Sequence, residues 1–180
     1  MFEPYGSEIV DKVRVHNEQN GGMSRFMKFP IYLDWIGEPV TQTRINELSD
    51  QFSSLALEGV INSAWIPGAE NYLRINRYEQ IFVLVSATPK QELDLIIKEL
   101  CLDNIFYNVY GSPTGKKEGM QSTLNTLKID KNKTVMIGDA IADLEAASAC
   151  NIPFILKRNS INKKLFKNYT GYSVSDIMEL

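Results

Sequence analysis

The chain has 180 residues, 44% of them apolar, with 19 basic and 22 acidic side chains spread along its length and a net charge of -3. That is enough to bury an ordinary core in one domain, or in a domain with a sizeable insertion, and it offers no basic field for nucleic acid or an anionic membrane. No apolar run reaches the length of a bilayer span and the N-terminus carries no secretory pattern, so a cytoplasmic protein is expected.

Up to about residue 65, apolar residues recur at helical spacing, as at Ile45, Leu48, Phe52 and Leu55, with no convincing strand. A small helical bundle is expected there. The pattern changes near Pro67 and Gly68. Beyond them Ile81 to Val85 reads as a strand, followed by a helix through Leu93, Ile96, Ile97 and Leu100. Phe106 to Tyr110 then precedes a helix through Met120, Leu124 and Leu127, and Thr134 to Ile137 precedes one over Leu144 to Cys150. Pro153 to Leu156 comes before a short polar helix and the C-terminus. This alternation predicts an α/β fold: a Rossmann-like parallel sheet covered on both faces at 68–180, with an all-helical unit at 1–67. Cys101 and Cys150 fall in apolar contexts at helix ends and read as buried thiols. With His16 the single histidine, a histidine cluster or a Ser-His-Asp set is not the expected chemistry.

In an open parallel sheet, ligands bind outside the carboxyl ends of the strands, so the residues following each strand carry the functional information. After the first strand comes Ser86-Ala87-Thr88-Pro89, a small hydroxyl with backbone N–H groups at a helix start. It reads either as an anion site or as simple capping. After the second comes Gly111 to Glu118, where small residues permit a tight turn that returns Lys116 over the strand ends. After the third, Gly138-Asp139 and Asp143 set two carboxylates four positions apart, at a strand end and one turn into the next helix, facing one crevice. Two carboxylates concentrated there suit a hard cation such as magnesium.

Ser86, Lys116 and Gly138-Asp139-xxx-Asp143, in this order and each after a strand, resemble the second, third and fourth motifs of the haloacid-dehalogenase superfamily. Val85 to Pro89, Gly111 to Glu118 and Pro67-Gly68-Ala69 are similar to its phosphoglycolate-phosphatase-like branch, and His16 to Phe29 resembles a stretch of the helical cap that some members insert after their first strand. The resemblance implies a cap at 1–67 and a core at 68–180. It further implies Mg2+ held by Asp139 directly, with Asp143 holding its waters or Lys116. Ser86 and the Ala87 N–H would hold a transferring phosphoryl group whose charge Lys116 neutralises. The implied reaction is attack by an aspartate on a small phosphorylated metabolite, giving an aspartyl-phosphate that water hydrolyses. In the cap, Gly21-Gly22 reads as a flexible break, Ser24 as a helix cap, and Arg25, with His16 nearby, as a candidate ligand for a second anionic group.

The family's nucleophile closes a first strand, in a DxDx(T/V) motif, ahead of the cap, and the chain has no such segment. Ile31 to Gly37 places an aspartate after an apolar run, but Ile36 stands where a second aspartate belongs, so Asp34 reads as a surface residue of a cap helix. A central strand is therefore expected to be missing between those ending at Ser86 and Gly138, and a partner chain (self-association) or closure of the flanking strands is expected to fill the gap. The leading expectation is an inactive-as-written phosphatase; the alternative is a catalytically inactive binding or regulatory module. A receiver-like signalling domain fits poorly, because its acidic pair belongs near the chain start.

Overall fold

The computed structural model describes residues 1–180. The first 67 residues form three helices, α1 (Ser7–Gln19), α2 (Arg25–Trp35) and α3 (Gln42–Ile61). The last two start on side-chain caps: Ser24 Oγ accepts from the Phe26 N–H at 3.4 Å, and Thr41 Oγ1 from the Arg44 N–H at 3.2 Å. Phe29, Tyr32 and Leu33 on one face of α2 meet Ile45 and Leu48 of α3 and Phe2 in a cluster of their own. Phe52 and Leu55, expected on the same stripe, are exposed, although Phe52 still meets Phe29 of α2 edge-on.

At Pro67 the chain turns back to the C-terminus, where the Ile177 N–H donates to the Pro67 carbonyl at 3.0 Å. Gly68 takes φ +77°, and a Cβ there would run into the Asp176 carboxylate and lie 2.7 Å from the Met178 nitrogen. A helix that the periodicity did not predict follows, α4 (Ala69–Asn76), too short at 8 residues to show a clear stripe.

The predicted alternation then appears as β1 (Phe82–Pro89), α5 (Lys90–Glu99), β2 (Phe106–Ser112), α6 (Lys116–Leu127), β3 (Met136–Gly138), α7 (Ile141–Cys150), β4 (Phe154–Lys157) and a short β5 (Ser173–Val174). All pairings are parallel, as expected. β1 runs further than the sequence suggested, through Ser86 to Pro89, because Pro89 pairs with Ser112 of β2. Gly111 permits this approach: a Cβ there would lie 2.6 Å from the Thr88 carbonyl oxygen. The expected polar helix after β4 is instead a series of turns over 160–168. Asn159 Oδ1 accepts from the N–H groups of Ile161 and Asn162 at 2.9 and 2.8 Å, a local alternative to helical pairing.

The sheet comes in two pieces, β1-β2 and β3-β4-β5, with no ladder between β1 and β3. Every residue of β1 is only half-buried, and Val135 and Ile137, beside and within β3, are 46% and 37% exposed. Strands inside a doubly covered parallel sheet bury such residues. Side-chain packing joins the two pieces instead: Met120 and Leu124 of α6, Met136 of β3, Ala146, Ala147 and Cys150 of α7 and Ile152 form one cluster, with Val85 of β1 and Phe154 of β4 against it. A second cluster, Ile97, Leu102 and Ile105, lies on the far side with Leu73, Phe82 and Val109. Cys150 is buried as expected, whereas Cys101, in the turn after α5, is exposed.

Replacing Gly68 with alanine meets both the positive φ and the occupied space. It should destabilise by about 1–3 kcal/mol, which thermal unfolding would register as a drop of several degrees; an unchanged midpoint would mean that the Pro67–Gly68 turn does not dock on residues 176–178.

Candidate functional site

The site is built around the buried carboxylate of Asp143, in the first turn of α7. Its Oδ2 accepts from the N–H groups of Ala140 at 3.1 Å and Asp139 at 3.3 Å, which pins the turn between β3 and α7. Its Oδ1 pairs with Lys116 Nζ, and both side chains are largely removed from water, at 15% exposure for Lys116 and 7% for Asp143. Lys116 opens α6, whose Gly115 N–H is capped by Glu118 Oε2 at 3.0 Å. Gly138 lets the strand end pass under the carboxylate, since a Cβ there would stand 2.5 Å from Asp143 Cβ.

Asp139 is exposed at the same rim. Its Oδ2 accepts from Asn159 Nδ2 at 3.0 Å, its backbone carbonyl from Asn162 Nδ2 at 3.0 Å, and its Oδ1 has no protein partner. Asn162 is itself buried and also donates to the Lys157 carbonyl at 2.8 Å. The loop after β4 thus orients the carboxylate. Sequence reasoning missed Asn159 and Asn162, although their place just beyond the fourth strand end, where ligand-facing loops gather, was the available signal.

Ser86 lies near the end of β1, where its Oγ accepts from the Thr88 N–H at 3.1 Å. The capping alternative is not what forms: the N-cap of α5 is Pro89, with no side-chain cap. Ala87 and Thr88 line a cavity of about 500 Å³ that extends under the helical unit to Gly21, Met23, Arg25 and Lys28. The Gly21–Gly22 break folds over the opposite side, and a Cβ on Gly22 would come within 3.1 Å of Ala140 Cβ and 3.5 Å of Lys116 Nζ. Next to it Ser24 Oγ and Ser112 Oγ share a hydrogen bond of 3.3 Å. Lys116, Asp139 and Asp143 therefore share one rim, and Ser86 and Ala87 stand where β1 ends.

Arg25 lines the cavity, but its guanidinium is engaged: it binds both oxygens of Glu92, at the start of α5, at 2.7 Å each, donates to Ser53 Oγ at 2.7 Å, and stacks on Phe52. This fork ties the helical unit to the core. His16 lies apart, over a shallow hollow with Lys12 and Trp35; its Nδ1 is 3.1 Å from the Tyr32 hydroxyl and its ring stands edge-on to Tyr32 and Trp35. Asp34 is an exposed residue of α2.

No three histidine, cysteine or acidic side chains converge to form a metal cage. The donor set instead suits an ion that keeps much of its water: one outward carboxylate, Asp139, with Asp143 already committed to Lys116 and two amides. Magnesium has that habit.

A sequence model of the haloacid dehalogenase-like hydrolases matches residues 38–157. The chain belongs to that family. Solved structures agree on the fold. β-Phosphoglucomutase from Clostridium difficile superposes with a TM-score of 0.74 at 16% identity, over 96% of this chain and 82% of that one. A Lactobacillus plantarum protein provisionally named phosphoglycolate phosphatase gives 0.70 at 12% identity, over 99% and 90%. A haloacid dehalogenase-like hydrolase from Streptococcus pneumoniae gives 0.63 at 16%, over 91% and 87%. A search of curated proteins finds no match.

Two substitutions test the local energetics. Asp143→Asn should destabilise by about 3–5 kcal/mol, because it strands Lys116 with a buried charge; denaturant unfolding measures this, and a loss below about 1 kcal/mol would mean that the pair is solvated. Burial, helped by the nearby Lys28 charge, lowers the His16 pKa from 6.5. As pH falls below about 6.5 the unfolded chain takes up this proton before the folded one, so that part of the stability is complete above pH 6.5 and lost on acidification. His16→Phe should flatten the melting temperature of the helical unit over that window relative to wild type, and parallel profiles would contradict the assignment.

Proposed function

We propose that the Lys116–Asp139–Asp143 rim, with Ser86 and the Ala87 N–H, is the phosphoryl and magnesium site of a phosphohydrolase acting on a small phosphorylated metabolite. The observation that carries this reading is the Asp143 carboxylate, which holds Lys116 with one oxygen and the Asp139 loop with the other. A cation and a carboxylate are thereby presented side by side at the end of a parallel sheet. Lys116 lies between the end of β2 and Asp143, where it neutralises charge on a phosphoryl group, and the Ser86 hydroxyl and Ala87 amide supply donors for its oxygens. Magnesium would be held by Asp139 and its waters, lowering the repulsion between phosphate and an incoming anion. Residues 1–67 act as the cap over this core at 68–180.

In such a reaction a carboxylate oxygen bonds to phosphorus as the P–O bond to the alcohol breaks, the alcohol leaves with a proton, and water then cleaves the aspartyl-phosphate. A strand that paired with both β1 and β3, which share no ladder with each other, would deliver this carboxylate. A second reading is a module that binds magnesium and phosphate without turnover.

Calorimetry with Mg2+ and inorganic phosphate tests the shared part of both readings. Phosphate binding should require Mg2+, Asp139→Asn should abolish the metal requirement's benefit, and Asn159→Ala should weaken Mg2+ by about tenfold as a residue that orients the ligand. Phosphate that binds equally well without magnesium would refute the site. Hydrolysis of an aryl phosphate then separates the two readings: the 180-residue chain should be inert, and a version carrying an additional N-terminal strand ending in an aspartate pair should gain activity. Turnover by the shorter chain would place the nucleophile elsewhere.

A further inference from the structure

The net charge of -3 conceals a stretch of the opposite sign. From Ala146 to Ser175 no residue is acidic, and Lys157, Arg158, Lys163, Lys164 and Lys167 all fall within it. None of the five enters an ion pair anywhere in the fold. Lys157 is buried, with its Nζ on the Arg158 carbonyl at 3.0 Å, and Arg158 Nε donates to Ser173 Oγ at 2.9 Å; Lys163, Lys164 and Lys167 are exposed. The fold turns this segment outward. Asn162 and Phe166 are its buried anchors: Asn162 donates to the carbonyls of Asp139 and Lys157, and Phe166 packs edge-on against Tyr169. The Phe166 N–H donates to the Asn162 carbonyl at 3.0 Å, closing one turn, so side chains between and beside the anchors are left on its outer side. Among them Ile161 is 63% exposed and Leu165 38%, and neither joins a core cluster.

Unpaired lysines interleaved with exposed aliphatic side chains match an anionic bilayer surface, where cations meet lipid headgroups and aliphatic side chains enter the acyl boundary. A single-stranded nucleic acid would call for aromatic stacking as well as charge, and Phe166, the aromatic side chain between these lysines, is buried. An acidic protein surface would match the lysines but not Ile161 and Leu165. We propose that residues 158–167 are a docking surface for an anionic membrane, a peripheral contact independent of the phosphoryl-site reading. No helix of the chain is long and apolar enough to cross a bilayer, and a contact of this kind needs none. Asn159 and Asn162, which hold Asp139, belong to the same segment, so the docked face borders the Asp139 rim.

Flotation of the 180-residue chain with lipid vesicles tests this. Phosphatidylcholine vesicles containing about 30% phosphatidylserine should carry the protein, phosphatidylcholine alone should not, and raising NaCl to about 0.5 M should release it. Removing the three exposed lysines together (Lys163→Gln, Lys164→Gln and Lys167→Gln) should weaken binding to the anionic vesicles about a hundredfold. Ile161→Ser combined with Leu165→Ser should weaken it about tenfold. All five positions are exposed, so both variants should keep the wild-type melting temperature. Equal binding to neutral and anionic vesicles, binding to neither, or anionic-vesicle binding unchanged in either variant would overturn the proposal. Tighter binding to single-stranded RNA than to the vesicles would assign the surface to nucleic acid. A lysine-dependent dimer in sedimentation equilibrium, without vesicle binding, would assign it to a second copy, and either result overturns the membrane assignment.

Discussion

The crevice depends on the bond between Lys116 and Asp143. Asp143 belongs to α7, Lys116 to α6, and the two amides that the same carboxylate accepts belong to the turn leaving β3. One buried carboxylate therefore fixes where three elements end and begin. Its desolvation is offset by an ammonium and two N–H groups, which satisfy both oxygens, and this is the condition under which a buried charge is tolerated. The arrangement leaves Asp139 as the carboxylate that still faces outward, so of two aspartates four residues apart one is committed to the fold and the other is exposed.

That division matters more because the sheet beneath it is split. Ladder hydrogen bonds fix strand spacing in most α/β cores, but between β1 and β3 no ladder exists, and packing of Val85 against the Met136 and Met120 cluster takes over. Packing is less directional than a ladder. β1 responds by pairing with β2 as far as Pro89, with irregular register on the way, and this draws the Ser86–Thr88 segment into extended backbone. Ser86 consequently lies in extended backbone near the end of β1, and its hydroxyl oxygen accepts from the Thr88 amide.

The sequence made the fold and the Asp143 rim legible because both rest on local signals: a change of hydrophobic period at Pro67, strand-helix alternation, and small or acidic residues at strand ends. Three features were not legible. Asn159 and Asn162 act across 20 or more residues and look like ordinary loop asparagines. Arg25 was visible as a cation, but its partner Glu92 is 67 residues away, and a sequence gives no sign that the two meet. His16 carries the same difficulty in reverse: it was expected beside Arg25 as a ligand for a second anionic group, whereas helix geometry turns its ring into the Tyr32 and Trp35 aromatic group.

The Arg25–Glu92 fork has a structural consequence for the crevice. Glu92 stands in the first turn of α5, where the helix dipole favours a carboxylate, and Ser53 of α3 donates to the same oxygen that Arg25 binds. Three elements, α2, α3 and α5, are thus held by one planar cation with two parallel bonds, a geometry a lysine could not reproduce. Because Arg25 follows directly on Gly22-Met23-Ser24, fixing its guanidinium fixes the glycine break over Lys116 and the Ser24 contact with Ser112. Arg25 is on this account the residue that sets the height of the cavity roof, with its charge already neutralised by Glu92.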